Sequence, residues 1–171
     1  MKPRIRYLDG LEVEGLQDLG ETLIKVNRSA AVVKGGRRFS FSALSVTGDK
    51  KGIVGYGFGK SRQVPGAIDK AARDGRKHLM RVPLSNTRTI PHEVEAWYCG
   101  SMVRLIPASP GTGIIACPSV RAVCEMSGIK DILSKCYGST NPVNLVKATL
   151  DALKQLRTRH EVERLRGVSL A

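Results

Sequence analysis

This chain lacks the residue spacings from which a metal centre or a disulfide framework is built. Its four cysteines, Cys99, Cys117, Cys124 and Cys136, include no C-x-x-C pair and sit among apolar or small neighbours, so buried, reduced thiols are expected. The three histidines, His78, His92 and His160, lie far apart with neither metal-ligand nor triad spacing. His78 reads as part of a basic helix and the other two as surface residues. No segment gathers a nucleophile, an acid and a base, so catalysis is not expected. No run approaches the roughly 18 apolar residues of a membrane-spanning helix. The amino terminus mixes Arg4 and Arg6 with Asp9, Glu12 and Glu14, where a signal peptide turns apolar and a transit peptide avoids acids. The expectation is a cytoplasmic globular protein with no cofactor, no metal, no membrane contact and no small-molecule substrate. With 42% hydrophobic residues among 171, it can bury one large core or two small ones.

Acids are also scarce, and that scarcity is local. Between Thr22 and Pro83 fourteen Lys or Arg face only Asp49, Asp69 and Asp74, so this segment carries +11 of the chain's +13. Residues 1 to 21 sum to −2 and residues 84 to 171 to +4. A concentrated positive field of this kind suits a phosphate backbone, because each phosphate neutralised releases condensed counterions. A solvated basic face or attraction to an acidic membrane is the plainer alternative, but the charges fall in loops and on one helix flanking a glycine-rich strand.

The order of elements is legible in outline. Thr22 to Val33 reads as a strand that bends before the loop Lys34-Gly35-Gly36-Arg37-Arg38, whose paired glycines permit a tight reversal. Phe39, Phe41 and Ala43 alternate with Ser40 and Ser42, after which the apolar phase moves to Leu44 and Val46, predicting a half-buried strand with a twist or bulge near Ala43. Gly48 to Gly52 supplies turn chemistry. In the next strand Gly55, Gly57 and Gly59 fall at spacing two, leaving one face bare. That face suits either a ligand's close approach or a closely packed helix. Pro65 opens a helix with Ile68, Ala71, Ala72, Gly75 and Leu79 on one side and Lys70, Arg73, Lys77 and Arg81 on another.

A composition change over 82–86, with Pro83 and Ser85, predicts a linker. Beyond it Val94 to Tyr98 and Met102 to Ile106 read as strands and Ser119 to Ser127 as a helix closed by Gly128. Ile129 to Tyr137 reads as a further strand. Asn141 and Pro142 cap and begin a helix striped by Val146, Leu150, Leu153 and Leu156. Strands and helices mix in both halves, which predicts two α+β domains: an extension over 1–21, a basic domain over 22–83, a second domain over 84–157 and a tail over 158–171.

Two nucleotide-like motifs weigh little. Gly59-Lys60-Ser61 matches the end of a phosphate-binding loop, but Val54 stands where that motif requires its first glycine. Pro110-Gly111-Thr112-Gly113 ahead of the Ser119 helix is a better anion site, similar to a loop in small-molecule kinases of the galactokinase and homoserine-kinase superfamily. It lacks paired carboxylates for Mg²⁺, offering only Glu125 and Asp131 nearby.

Several stretches, in order, closely resemble bacterial-type small-subunit ribosomal protein five: VKGGRRFSFSAL (33–44), GDKKGIVGYGFGKSRQVPGAI (48–68), GTGIIA (111–116), RAV (121–123) and YGSTNPVNLVKAT (137–149). The resemblance implies an amino-terminal sheet plus helix like double-stranded-RNA-binding modules and a β-α-β-α second domain with the topology of those kinases. It implies a structural constituent of the small ribosomal subunit. Such a protein binds small-subunit rRNA, touches small-subunit ribosomal proteins four and eight near the mRNA entry side and tunes translational accuracy. By position, the implied RNA-facing residues are Asn27, Arg28, Lys34, Gly35, Gly36, Arg37, Arg38, Lys60 and Arg62, with Lys70, Arg73 and Lys77 on the basic helix. Gly111, Thr112, Gly113 and Arg121 resemble the region that meets protein four. The first loop is the one linked in that family to spectinomycin sensitivity.

The chain departs from the family at Cys117-Pro118-Ser119, where a glycine pair is usual, and at Ala30 and Ala31, where many relatives carry polar or basic residues. The location implied is the cytoplasm, in the small ribosomal subunit, with an organellar ribosome as the other possibility. Two further readings stay open: a free-standing RNA-binding regulator, and a small-molecule kinase using the Gly111 to Gly113 loop.

Overall fold

A computed structural model describes residues 8, 19–84 and 88–168. Most of the expected amino-terminal extension, the linker positions Ser85 and Asn86, and the end of the tail lie outside the described residues. The first half folds as β1 (Gly20–Val33), β2 (Gly36–Gly48), β3 (Ile53–Ser61), α1 (Val64–Lys77) and β4 (Met80–Arg81). Its strands form one antiparallel sheet in the order β1-β2-β3-β4. The second half runs β5 (Val94–Tyr98), β6 (Ser101–Pro107), β7 (Ile114–Ile115), α2 (Pro118–Ser127), β8 (Ile132–Gly138), α3 (Pro142–Gln155) and α4 (Arg159–Arg166). Its sheet has the order β5-β6-β8-β7, with β7 parallel to β8. The fold is therefore α+β in both halves, a sheet plus helix followed by a β-α-β-α unit. Among the described residues no helix is long and apolar enough to cross a membrane.

The bare face of β3 is covered by α1. A Cβ added at Gly57 would stand 1.9 Å from the Ala71 carbonyl oxygen, and one at Gly59 would stand 2.2 Å from that of Ala67. Ala67, Ala71 and Gly75 are the buried positions of α1, spaced four apart, so small residues meet small residues and the helix lies almost on the strand backbone. Close ligand approach to this face, one of the two sequence readings, is thereby excluded.

The change of apolar phase along β2 also has a different cause from the one expected. β2 stays in register with β3 from Phe41 to Gly48, and the irregularity lies instead in β1, between Leu23 and Lys25. From Ala43 to Gly48, β2 is buried on both faces. Ala43 meets Ala67 and Ala71 on the α1 side, while Leu44 and Val46 belong to a core continuous with the second half. That core joins Leu44, Val46, Val54, Met80 and Val82 to Val103, Val120, Val146 and Leu153. The turn after β2 docks on the end of α2: Lys50 N–H donates to the Met126 carbonyl oxygen at 3.0 Å, and the left-handed Gly128 fits against Lys50.

The caps follow the sequence closely. Gly128 closes α2 at φ 88°, and Asn141 Oδ1 accepts the Val143 N–H at 3.3 Å to begin α3. The thiols differ from expectation: only Cys124 is buried, Cys99 is exposed, and Cys117 and Cys136 are half-buried. Burial pushes the Cys124 thiol up to about 12.

Candidate nucleic-acid interface

β3 pairs with β2 only as far as Phe41, so from there to the turn β1 and β2 continue as a two-stranded ribbon. At strand rise its free length is about 20 Å. Lys34, Gly35, Gly36, Arg37 and Arg38 form its exposed tip, and Asn27 and Arg28 are exposed along it. Gly36, at φ 142°, is the tip glycine whose conformation other residues rarely adopt. Register places Arg28, Arg37, Phe39 and Phe41 on the α1 side of the ribbon and Asn27 and Arg38 on the other. The Arg28 guanidinium lies 3.6 Å from the Phe39 ring centroid. Phe39, expected in a half-buried strand, is 41% exposed because no third strand or helix shelters the ribbon there.

Lys60 and Arg62 stand exposed where β3 ends and α1 begins, beside the root of the ribbon. Lys70 Nζ donates to the Lys60 carbonyl oxygen at 3.3 Å, which ties the helix to that corner. Lys70, Arg73 and Lys77 are exposed at three- and four-residue spacing on one side of α1. Arg76 points elsewhere and pairs with Glu21 at 3.2 Å. The structure thus joins Lys60, Arg62 and Lys70 at one corner, extends the helix charges from it and carries the Lys34 to Arg38 group outward on the ribbon. The arrangement can hold several phosphates along two directions, with charge-assisted bonds from flexible side chains. Sequence reasoning missed Phe39 as the partner of Arg28. The pairing of Val33 with Gly36 sets the register that puts the two on one face, and a loop running from Lys34 to Arg38 does not give that register.

The Gly111 to Gly113 loop has an occupant of its own. The N–H groups of Gly111 and Gly113 both donate to Asp131 Oδ1, at 3.0 and 2.9 Å, and Asp131 is buried. Arg88 Nε lies 3.2 Å from Asp131 Oδ2, a charge attraction without the alignment of a hydrogen bond. An internal carboxylate therefore fills the place where a phosphate would bind. Gly111, Thr112 and Arg121 are exposed and Gly113 is half-buried.

The second sheet presents another surface that the sequence did not reveal. α3 packs on its inner face, over β5 and β6 where Val103 and Leu105 lie, and α2 packs against α3. The outer face carries a row of Trp97, Met102 and Tyr137, with Trp97 63% and Tyr137 47% exposed. Beside it Arg104 pairs with Glu93 and Glu95. Near the junction of the halves, Lys147 Nζ lies 3.1 Å from Tyr98 Oη and 5.6 Å from the Tyr56 ring centroid, and the Tyr98 hydrogen bond raises its pKa. Among the described residues no group of three or more His, Cys, Asp or Glu is placed to hold a metal ion.

Two domain models match this chain consecutively. The description "Ribosomal protein S5, N-terminal domain" covers residues 19–83, and "Ribosomal protein S5, C-terminal domain" covers 96–166. Fold and matches together define a two-domain α+β ribosomal protein. The small ribosomal subunit protein uS5 of Rhodopirellula baltica is 52% identical over 159 residues, 92% of this chain and 89% of that protein. Its counterpart in Flavobacterium psychrophilum is 52% identical over 170 residues, 99% of this chain and 97% of that protein. A Shewanella baltica uS5 is 49% identical over 160 residues, 94% of this chain and 95% of that protein. The chain belongs to the uS5 family, whose members are structural, non-enzymatic constituents of the small ribosomal subunit.

Proposed function

We propose that residues 22–83 bind small-subunit rRNA through the β1–β2 ribbon and the exposed side of α1, while residues 84–157 form a platform for neighbouring proteins. The observation that carries this reading is the ribbon itself, a basic extension that buries little and places Lys34, Arg37 and Arg38 beyond the sheet. Such a finger fits between RNA helices, where phosphates approach from more than one side. Recognition is of shape and backbone more than base sequence, with the Arg28 and Phe39 stack offering a flat surface to an unpaired base. The partners are small-subunit ribosomal proteins four and eight near the mRNA entry side. Protein four meets the Gly111 to Gly113 loop and Arg121, and the row of Trp97, Met102 and Tyr137 suits a further protein contact. By holding these parts in register the protein contributes to translational accuracy, within ribosomes of the cytoplasm.

Replacing Arg37 and Arg38 together by Ala tests the reading. Binding to small-subunit rRNA should weaken, and the slope of log affinity against log salt should become shallower by about 1 to 2. The far-ultraviolet circular dichroism should not change. An unchanged salt slope would remove the ribbon tip from the RNA site. The kinase reading has no support in the geometry, since Asp131 already occupies the amides that would hold phosphate.

A further inference from the structure

Cys117 and Cys136 come from separate elements, the first capping α2 and the second lying within β8, yet their sulfurs are 3.7 Å apart. The parallel pairing of Ile114 with Ile132 and of Ile115 with Leu133 brings them together, since both chains run on in the same direction from that short ladder. The two thiols are half-buried, so a small oxidant reaches them, whereas Cys124 is enclosed and Cys99 stands exposed and apart from them. A sulfur pair at this separation needs a shift of under about 2 Å to reach bonding distance.

We propose that Cys117 and Cys136 are an oxidisable pair that hydrogen peroxide converts into an intramolecular disulfide. Burial and the neighbouring Cys117 push the Cys136 thiol up to about 12, and in the route by way of Cys117 that sulfur is oxidised first. The Cys117 thiolate attacks one peroxide oxygen, the O–O bond breaks, and Cys117 becomes a sulfenic acid with release of hydroxide. That hydroxide takes the Cys136 proton as water. The Cys136 sulfur then attacks Cys117 Sγ, the S–O bond breaks, and hydroxide leaves to combine with the proton first lost by Cys117. In sum two thiols and one peroxide give one disulfide and two waters. The bond fastens the start of α2 to β8 at the foot of the Gly111 to Gly113 loop. This chemistry rests on the thiols alone and is independent of the RNA reading.

The test uses the full-length chain with Cys99→Ser, reduced, freed of reductant and treated with a small excess of hydrogen peroxide. The expected product is a monomer lighter by about 2 Da, the two hydrogens lost. Its tryptic digest should contain the peptides of Cys117 and Cys136 joined, and dithiothreitol should separate them. Because the fold holds the sulfurs together, this link should form about a hundredfold faster than any link made in concentrated urea. With Cys136→Ser added, Cys117 should stop at a sulfenic acid that dimedone captures. Should that variant fail to fold, alkylation of the peroxide-treated Cys99→Ser chain gives the same answer, with Cys117 and Cys136 protected together and Cys124 free after unfolding. Independent oxidation of the two sulfurs to sulfinic acids, a link through Cys124, or disulfide-bonded dimers would overturn the proposal.

Discussion

At Gly57 a single added methyl group would strike backbone on two sides, the Ala71 carbonyl oxygen at 1.9 Å and the Gly75 nitrogen at 2.4 Å. Neither can move without shifting α1, so Gly57→Ala should lower stability by about 3 kcal/mol, read as a lower urea midpoint. Gly35, with open space around it, should accept Ala within about 0.5 kcal/mol. Equal costs at the two positions would contradict the packing described for α1. Asp131 is a second residue on which local order depends. Asp131→Ala leaves the Gly111 and Gly113 amides without their acceptor and should cost about 2 to 4 kcal/mol in urea unfolding. Asp131→Asn keeps an acceptor oxygen for the two amides but sets a buried NH2 without an acceptor beside the Arg88 guanidinium, so it should recover only part of that stability.

The elements that could be read from sequence are those whose signals are local. Pro65 and the stripe of small and basic residues marked α1, Gly128 marked the end of α2, and Asn141 with Pro142 marked the start of α3. β7 escaped because two residues carry no periodicity and its existence depends on pairing with β8 across an intervening helix. The phase change in β2 was visible, but its cause was not: a strand buried on both faces by different partners resembles a bulged one in sequence. The basic residues that charge singled out in the sequence are all exposed. The direction in which the β1–β2 ribbon leaves the sheet follows from where β3 stops pairing, a non-local fact. The open face bearing Trp97 and Tyr137 was hidden for the same reason, since alternation in β5 and β8 says which residues share a face but not what covers it.

Across the whole molecule, the two matched domains share a core rather than a hinge. Leu44, Val46, Val54 and Met80 of the first half pack with Val120, Val146 and Leu153 of the second. Urea unfolding should therefore follow one transition, with hydrogen-exchange protection in β2 and α3 lost together. Gly48→Ala would set a Cβ 2.3 Å from the Met126 carbonyl oxygen and should lower that shared transition, without splitting it into two. Two separate transitions in the unsubstituted chain would show that the halves are energetically independent. A rigid joint of this kind lets the basic ribbon and the second sheet hold fixed positions relative to each other, as the proposed span between rRNA and protein neighbours requires. The most direct test is sucrose-gradient sedimentation of a tagged copy in its own cells at low and at high salt, beside a copy with Lys34, Arg37 and Arg38 replaced by Ala. The native chain should remain in the small-subunit peak under both conditions, and the substituted chain should leave it as salt rises. A native chain found at the top of the gradient, or a substituted chain held as firmly as the native one, would contradict the account.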